Sequence, residues 1–388
     1  MKLKELGTIV TGNTPSKQSV ENWNSPDICF VKPDIISDTG ISIIDDAAEY
    51  ISEKARAKAR IVGENSILIT CIGSIGKIGI TAKGTFAFNQ QINAIIPNRK
   101  VNSKYLAYAL LYAKPRLVAI ANAPVVPIIN KSQFGDFEIK VTENTEDQSK
   151  AVEVLDTVNA IIENRRQQLQ KLDELVKARF VELFGDPLHN TKDLQTSPMT
   201  NICRIIDGDR GKNYPKQEDF SDCGFCLFLN AKNVTAQGFS FENCMYITEE
   251  KDALLHNGKL CRGDVVLTTR GTIGNLAFYD TSVPYGNVRI NSGMVILRMN
   301  RNLVSEIFFM EQFKMQLDSI KSRIASGSAQ PQLPISTMNK IKMILPQIEL
   351  QKQFEQFVKQ VDKSKVAVQK SLDEAQHLFD CLMQEYFS

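Results

Sequence analysis

An internal repeat of nearly half the chain length constrains the fold more than any other feature of this sequence. Residues 70–80 read TCIGSIGKIGI and residues 268–278 read TTRGTIGNLAF, so the glycine pairs Gly73/Gly76 and Gly271/Gly274 are 198 residues apart. At the same offset NSILI (65–69) falls on GDVVL (263–267), and NQQIN (89–93) falls on NVRIN (287–291). β-Formers punctuated by Gly and Asn predict strands joined by tight turns in both segments. A period near 200 residues indicates a duplicated domain.

A second repeat, offset by 203 residues, predicts two long helices. Thr145 and Gln148 have the spacing of a capping box, and Gly185 is a typical helix end. Apolar residues then recur every seven positions in both segments, over about 37 residues or roughly 55 Å of helix. Stripes of that length need a partner, which favours an antiparallel coiled coil of the two helices over a helix lying on its own globular domain. The predicted helix-pair interface is Leu155, Ile162, Leu169, Val176, Leu183, Val358, Val361, Leu372, Phe379 and Leu382.

The distribution of charge follows the same duplication. Lys and Arg outnumber Asp and Glu in residues 1–140 and 190–345, whereas acids outnumber bases in 141–189 and 346–388. We therefore expect an α+β protein with two mixed α/β, sheet-rich domains, separated by the two helices and related by a pseudo-twofold internal duplication. The predicted boundaries are 1–142 and 187–345 for the globular domains, and 143–186 and 346–388 for the helical regions.

The motifs of several enzyme classes are missing from the sequence. GSIGK (73–77) lacks the spacing of a P-loop, and no GxGxxG or Asp/Asn-Pro-Pro-aromatic motif occurs. The three histidines are scattered, so we predict neither a catalytic triad nor a metal site. Cys223 and Cys226 have CxxC spacing, but a second ligand pair for zinc is not apparent, and free thiols in a reducing cytoplasm are the better interpretation. No secretory signal or membrane span is expected, since the apolar run LVAIANAPVVPII is broken by Asn and Pro.

Two basic, turn-rich domains suit a polyanion such as duplex DNA. Arg, Lys, Asn and Gln in the turns carry the donors that match base edges, Arg with guanine and Asn or Gln with adenine. For any one of these residues the alternative is ordinary solvated loop polarity. The candidate DNA contacts are Thr14, Lys17, Lys32, Lys77, Gln90 and Gln91 in the first copy, and Arg210, Lys212, Asn213, Tyr214, Lys232, Arg270, Asn287 and Arg289 in the second.

These features together resemble a specificity (S) subunit of a type I restriction–modification system. The resemblance covers essentially the whole chain and is carried by LGTIVTGNTPSK (6–17), the strand–Gly–x–x–Gly units at 66–76 and 264–274, and SGSAQPQLPISTMNKIKMILPQIELQKQF (326–354). The first helical region departs from the pattern, because it lacks a proline equivalent to Pro346.

The resemblance implies a non-catalytic subunit, and the free thiols indicate a cytoplasmic location. Each recognition domain would read one half of a bipartite double-stranded DNA target, and the helices would set the spacer and dock two methyltransferase (M) subunits. S-adenosylmethionine, ATP and Mg would belong to these and to the restriction (R) subunits, with no cofactor bound by this chain. Two alternatives remain open, namely a stand-alone DNA-modifying enzyme with a divergent site and a coiled-coil scaffold that binds DNA nonspecifically.

Overall fold

The computed structural model describes residues 1–121, 126–325 and 332–388, so part of the SGSAQPQLP stretch and of the apolar run before Pro127 lies outside the described residues. The chain forms two compact units. Unit 1 contains Met1–Gln167 and Gln369–Ser388, and unit 2 contains Gln168–Val368. Each predicted helical region therefore contributes one part to each unit.

Unit 1 is built on two sheets. Its elements are α1 (Leu3–Leu6), β1 (Gly7–Thr11), β2 (Ile28–Val31), β3 (Ile41–Ile44), β4 (Glu49–Ile51), β5 (Ile61–Val62), β6 (Ile67–Thr70), β7 (Ile78–Thr81), β8 (Phe86–Phe88), β9 (Ile92–Pro97), α2 (Ser103–Ala119), α3 (Lys131–Asp136) and the first part of α4 (Thr145–Phe184). One sheet has the strand order β1-β9-β6-β7-β3 and the other has the order β4-β2-β8-β5.

The continuous apolar run of β6 follows from its position between two layers. Ile67 and Ile69 belong to the core formed with the helices, whereas Leu68 belongs to the core formed with Phe86 and Phe88 of the second sheet. Successive side chains of a strand point to opposite faces, so a strand covered on both faces can be apolar at consecutive positions, as Ile67, Leu68 and Ile69 are.

Unit 2 repeats this plan. Its elements are the rest of α4, β10 (Thr196–Pro198), α5 (Met199–Ile202), β11 (Cys203–Asp207), β12 (Cys226–Leu229), β13 (Val234–Thr235), β14 (Gly238–Phe239), β15 (Tyr246–Ile247), α6 (Glu249–Ala253), β16 (Asp264–Thr268), β17 (Leu276–Tyr279), β18 (Val288–Ile290), β19 (Met294–Met299), α7 (Glu306–Ala325), α8 (Ile335–Met338), β20 (Lys342–Ile344) and α9 (Ile348–Phe387), whose last part belongs to unit 1. The strand orders β11-β19-β16-β17 and β15-β12-β18 match β1-β9-β6-β7 and β4-β2-β8 of unit 1. The matched pairs β2/β8 and β12/β18 are parallel, and the other matched pairs are antiparallel. The predicted duplication is confirmed.

The two 40-residue helices, α4 and α9, pack against each other within each unit, and their directions are opposite. In unit 2 Asp173 of α4 binds Lys365 of α9 at 2.7 Å, while further along α4 Phe180 packs on Phe354, with 5.4 Å between ring centroids. Rising numbers on α4 therefore meet falling numbers on α9, as the predicted antiparallel pair requires. In unit 1 Arg165 Nε donates to Ser371 Oγ at 3.1 Å, so a hydrogen bond also links the two helices there.

The buried stripe of each helix moves by one residue near its C-terminal end. Leu155, Ile162, Val176, Val358, Val361 and Phe379 are buried as the heptad pattern predicts, and Leu169, Leu183, Leu372 and Leu382 are half-buried. The positions just after the last heptad members are buried instead, namely Phe184, Met383 and Phe387. A straight helix of 3.6 residues per turn drifts about 20° per heptad, which amounts to nearly one residue over four heptads.

A buried glutamine fixes the start of each long helix to its globular domain. Gln148 Oε1 accepts from the Asn102 N–H at 2.7 Å, and its Nε2 donates to Lys100 O at 3.0 Å and Thr142 O at 2.8 Å. The predicted capping box is therefore wrong, because Gln148 does not reach back to Thr145. The first turn is capped by Asn144, whose Oδ1 accepts from the Glu146 N–H at 3.0 Å.

Gln351 makes the same three bonds at the start of α9. Its Oε1 accepts from the Ser305 N–H at 3.0 Å, and its Nε2 donates to Leu303 O at 3.0 Å and Pro346 O at 2.8 Å. Both glutamines are completely buried. Gln351 and its partners Ser305 and Leu303 are each 203 residues from their counterparts in unit 1, so the duplication extends to individual side-chain bonds.

Candidate nucleic-acid interface

The repeated glycine turns have the same hydrogen bonds in both units. Thr70 O accepts from the Gly76 N–H at 2.8 Å, and Thr70 Oγ1 accepts from the Lys77 N–H at 3.0 Å. Thr268 forms the equivalent bonds with residues 274 and 275, both at 3.0 Å. The four glycines have φ between +71° and +95°, a region that side chains with a Cβ disfavour. The repeat is therefore a strand-to-strand turn, as predicted, in which Gly is required by backbone conformation.

The loops that carry the candidate DNA contacts of unit 1 lie at one end of its sheets. β1 and β6 end where β9 begins, since Thr11 is opposite Asn93 and Thr70 is opposite Ile92. The parallel strands β2 and β8 end together at Val31 and Phe88. Residues 12–17, 32–40, 71–77 and 89–91 follow these strand ends and form what we call the turn end of unit 1.

Uncharged side chains of the turn end of unit 1 are hydrogen-bonded to one another. Thr14 Oγ1 donates to Gln90 Oε1 at 2.8 Å, although the two residues are 76 positions apart. Asn89 Nδ2 donates to Gln91 Oε1 at 2.8 Å. Thr14 and Gln90 are exposed and Gln91 is half-buried, so the structure brings these candidates into one polar cluster at the surface.

The predicted cations of unit 1 are each paired with an acid. Lys32 and Lys17 both contact the carboxylate of Glu49, Lys17 at 3.6 Å. The hydrogen bond from Lys32 holds the pKa of Glu49 below its usual value, so the Glu49 carboxylate is ionised at neutral pH. Lys77 pairs with Asp38 at 3.3 Å, and its side chain is only 12% exposed. DNA phosphates would have to compete with these carboxylates for all three lysines.

Unit 2 has a matching turn end. β11 and β16 end where β19 begins, since Asp207 is opposite Val295 and Thr268 is opposite Met294. The parallel strands β12 and β18 end at Leu229 and Ile290. Residues 208–216, 230–233, 269–275 and 291–293 follow these ends and form the turn end of unit 2.

The candidates Arg210, Lys212, Asn213, Tyr214, Lys232 and Arg270 all lie in these loops. Arg210 donates to Ser292 O at 3.3 Å and pairs with Asp207 at 3.2 Å. Tyr214 OH lies 3.5 Å from the Ser292 N–H, and Asn213 Nδ2 donates to Leu254 O at 3.3 Å. Lys212, Lys232 and Arg270 are exposed and form no salt bridge with any residue that the structure describes. Unit 2 thus presents cations that are available to an anion.

Asp209 organises the loop that carries Arg210 and Lys212, and sequence analysis did not single it out. Its carboxylate accepts from the backbone N–H groups of Gly211 at 2.8 Å, His256 at 2.8 Å and Asn257 at 3.3 Å. Burial opposes ionisation of Asp209, but these three donors outweigh it and lower its pKa. An acid inside the basic loop DGDRGKNYPK was the available signal, since Asp commonly accepts backbone bonds in turns.

The predicted placement of Asn287 and Arg289 in a turn is wrong by four residues. β7 and β17 are 198 residues apart, but β8 and β18 are 202 apart, because the loop between them has four residues in unit 1 and eight in unit 2. NVRIN therefore does not correspond to NQQIN. The counterpart of Asn89-Gln90-Gln91 is Asn291-Ser292-Gly293, in which Asn291 Oδ1 accepts from the Gly293 N–H at 2.9 Å as Asn89 Oδ1 accepts from the Gln91 N–H at 3.1 Å.

Arg289 is consequently a buried structural residue of β18, and Asn287 precedes that strand at the end opposite the turn end. The Arg289 guanidinium, in a residue that is 5% exposed, contacts the Asp252 carboxylate and donates to the carbonyls of Asn257, Asp252 and Leu255 at 2.7 to 2.9 Å. Burial of Asp252 is outweighed by its bonds with Lys259 and Arg289, so its pKa is lowered. Because its donors are committed internally, we leave Arg289 out of the interface.

The described residues contain no cluster of three or more His, Cys, Asp or Glu side chains that could hold a metal ion. Of the CxxC pair, Cys223 is exposed, whereas Cys226 is completely buried and burial raises the pKa of its thiol to about 12. In the same ranges no helix is sufficiently long and apolar to cross a membrane.

Fold and site together define a protein made of two copies of one sheet-rich domain, each with polar turns at one end of its sheets, combined with a pair of long helices. The chain belongs to the family of the type I restriction modification DNA specificity domain, whose profile matches residues 1–174 and 191–375. The two matches correspond to the two copies that the sequence repeat predicted.

Relatives of this chain are specificity subunits. It is 27% identical to the type I restriction enzyme MjaIX specificity subunit of Methanocaldococcus jannaschii over 265 residues, which are 64% of this chain and 60% of that protein. It is 28% identical to the type I restriction enzyme EcoR124I/EcoR124II specificity subunit of Escherichia coli over 194 residues, which are 48% of this chain and 46% of that protein. The matched region therefore spans about half of the length of these relatives.

Two solved structures share the fold. The type I restriction-modification S subunit from M. genitalium has a TM-score of 0.58 at 18% identity, with 100% of this chain and 95% of that chain covered. A chain from a structure of complex assembly and conformational transition in the type I R-M system has a TM-score of 0.56 at 14% identity, with 100% and 96% covered.

Proposed function

We propose that this chain is the DNA-recognition subunit of a type I restriction–modification complex, in which each unit reads one half of a bipartite duplex target. The observation that carries the proposal is that one backbone frame occurs twice and ends each time in a cluster of polar turns, while the side chains in the turns differ. Family membership supplies the class of ligand, and the exposed Lys212, Lys232 and Arg270 supply charge complementary to phosphate.

The role that we propose for α4 and α9 is to set the spacer between the two half-sites and to dock two methyltransferase subunits. Three features support this role. The helices share a buried seam within each unit, Gln148 and Gln351 tie their first turns to the globular domains, and acidic side chains such as Glu153 and Asp380 lie exposed on them. An acidic outer face would repel phosphate and suits contact with protein.

The chain would be non-catalytic by itself. Partner methyltransferase subunits would bind S-adenosylmethionine and methylate adenine in each half-site, and restriction subunits would use ATP and Mg. This division of labour agrees with the membership of both halves of the chain in a DNA specificity family.

Genome-wide mapping of methylated adenine in host cells, with and without this chain, tests the proposal. We expect one bipartite motif to vanish when the chain is deleted and to return when it is supplied again. An unchanged methylation pattern after deletion refutes the proposal.

Two further measurements address the alternatives. Methylation of DNA by the purified chain with S-adenosylmethionine alone would identify a stand-alone enzyme. Binding with a steep salt dependence and no sequence preference, with methyltransferase subunits present, would identify a nonspecific scaffold.

A further inference from the structure

The turn ends of the two units have the same backbone, so individual positions can be compared. Cys71 N–H donates to Gln91 O at 2.7 Å in unit 1, and Thr269 N–H donates to Gly293 O at 2.8 Å in unit 2. The residues that follow, Ile72 and Arg270, each form an isolated bridge to a later segment, with Ile128 and Gln332 respectively. Ile72 and Arg270 therefore occupy the same place in the frame.

The loop after the first strand gives a second correspondence. A Cβ on Gly12 would lie 2.2 Å from Asn89 O, and a Cβ on Gly208 would lie 2.3 Å from Asn291 O. In each unit the glycine thus allows the loop to pass close to the backbone of the equivalent asparagine. Two residues further along the chain, the loop presents Thr14 in unit 1 and Arg210 in unit 2, beside residues 90 and 292 respectively.

Side-chain chemistry differs between the units at all four matched positions. Unit 1 presents hydroxyl, amide and aliphatic groups, whereas unit 2 presents two guanidinium groups and little else. In the order of the matched positions the residues are Thr14, Ile72, Gln90 and Gln91 in unit 1, and Arg210, Arg270, Ser292 and Gly293 in unit 2.

At two neighbouring positions the long polar side chain lies on one position in unit 1 and on the other position in unit 2. Unit 1 has a long polar side chain at Gln91 and an aliphatic one at Ile72, whereas unit 2 has no side chain at Gly293 and a long polar one at Arg270. A Cβ on Gly293 would lie 3.9 Å from the Arg270 Cβ, so the two positions address the same region of the surface. The long polar side chain at these adjacent positions carries an amide in one unit and a guanidinium in the other.

We propose, on the basis of the proposed DNA-recognition function, that this difference sets the base composition of the two half-sites. The amides of Gln90 and Gln91 read an A·T pair in the half-site of unit 1, and Arg270 reads a G·C pair in the half-site of unit 2. The Gln amide matches N6 and N7 of adenine, and the Arg guanidinium matches O6 and N7 of guanine in the major groove. Thr14 orients Gln90 through its bond to Oε1, and the exposed Arg270 is free of competing salt bridges within the described ranges.

Methylated-adenine maps of cells that carry variants of the full chain with its methyltransferase subunits test this assignment. Arg270→Ala should relax one G·C position in one half of the motif, with a roughly ten- to hundredfold loss of discrimination there. Arg270→Lys should retain part of the preference, because Lys also contacts guanine. The double variant Gln90→Ala, Gln91→Ala should relax one A·T position in the other half.

Lys232→Ala is the matched control, since Lys232 is an exposed cation at the same turn end. It should reduce methylation evenly across all sites and leave the motif unchanged, as expected for a phosphate contact. An unchanged motif in the Arg270→Ala variant, or relaxation by both variants in the same half, would overturn the inference while the proposed function stands. If deletion of the chain leaves all methylation in place, the proposed function itself fails.

Discussion

Replacement of Gln351 by methionine should destabilise unit 2 strongly, although the substitution preserves side-chain volume. Gln351 is completely buried, and its amide satisfies three backbone groups, the Ser305 N–H and the carbonyls of Leu303 and Pro346. Methionine fills the same space with an unbranched thioether and leaves these groups without that partner. Each unsatisfied buried polar group costs about 1–3 kcal/mol, so the low end of the range for three groups gives a loss of about 3 kcal/mol.

The loss should be visible in thermal and urea unfolding of the full chain. For a unit of this size, 1 kcal/mol corresponds to about 2–4 °C, so the transition of unit 2 should move down by about 6–12 °C. Gln353→Met is the matched control, because Gln353 is exposed on the same helix and its replacement should change stability by less than about 0.5 kcal/mol.

Gln148→Met should produce a loss of similar size in unit 1, since Gln148 makes the equivalent three bonds. Equal unfolding midpoints for Gln351→Met and Gln353→Met would show that the buried amide does not hold the helix on its domain. The reasoning would then be refuted for both copies.

Three further predictions concern the helix pair, the glycine turns and the buried ion pair. Inserting one heptad after Gln167 and one after Val368 keeps the apolar seam in register and adds about 10 Å of helix. The methylated motif should therefore gain about three base pairs of spacer, with both half-sites unchanged. An unchanged spacer would argue against the proposal that the helices set its length. Gly274→Ala should lower the free energy of unfolding in urea by about 2–3 kcal/mol, and Gly271→Ala should lower it by about 1 kcal/mol. Both glycines have positive φ, but only at position 274 would the new Cβ meet a side chain, Leu317 Cδ1 at 2.2 Å. Equal losses for the two variants would contradict this account. The pKa of Asp252 in the folded state lies below its usual value of 3.8, so the ionised carboxylate stabilises unit 2 above pH 3.8 and this contribution is lost as the pH falls further. Asp252→Asn should lower the free energy of unfolding at pH 7 and make it depend less on pH below about pH 4. An unaltered acid unfolding profile would contradict the role of Asp252 in the buried ion pair.

Local patterns in the sequence predicted much of the architecture. The glycine turns were identified because positive φ restricts the choice of residue, and the end of α4 at Gly185 was identified for the same reason. The five-heptad stripes predicted two long helices and their pairing, because an apolar face of that length cannot remain in water. Such features depend on residues that are near each other in the chain.

The register of the second copy could not be read from the sequence alone. The likeness of NQQIN to NVRIN suggested a constant offset, but the loop between β17 and β18 is four residues longer than its counterpart. Insertions in surface loops cost little free energy, so nothing in the local pattern marks them. The error moved Arg289 from a buried ion pair into a predicted DNA contact.

The sequence by itself therefore determined the duplication and the two helices, since these follow from periodicity and turn chemistry, and the resemblance of the motifs indicated the family to which the chain belongs. Tertiary structure decided which polar side chains are exposed at the turn ends. Burial and partner choice depend on residues far apart in the chain, as Thr14 with Gln90 and Arg289 with Asp252 show. Long-range bonds also explain why Gln148, predicted to be the partner of Thr145 in a capping box, instead fixes the helix to its domain.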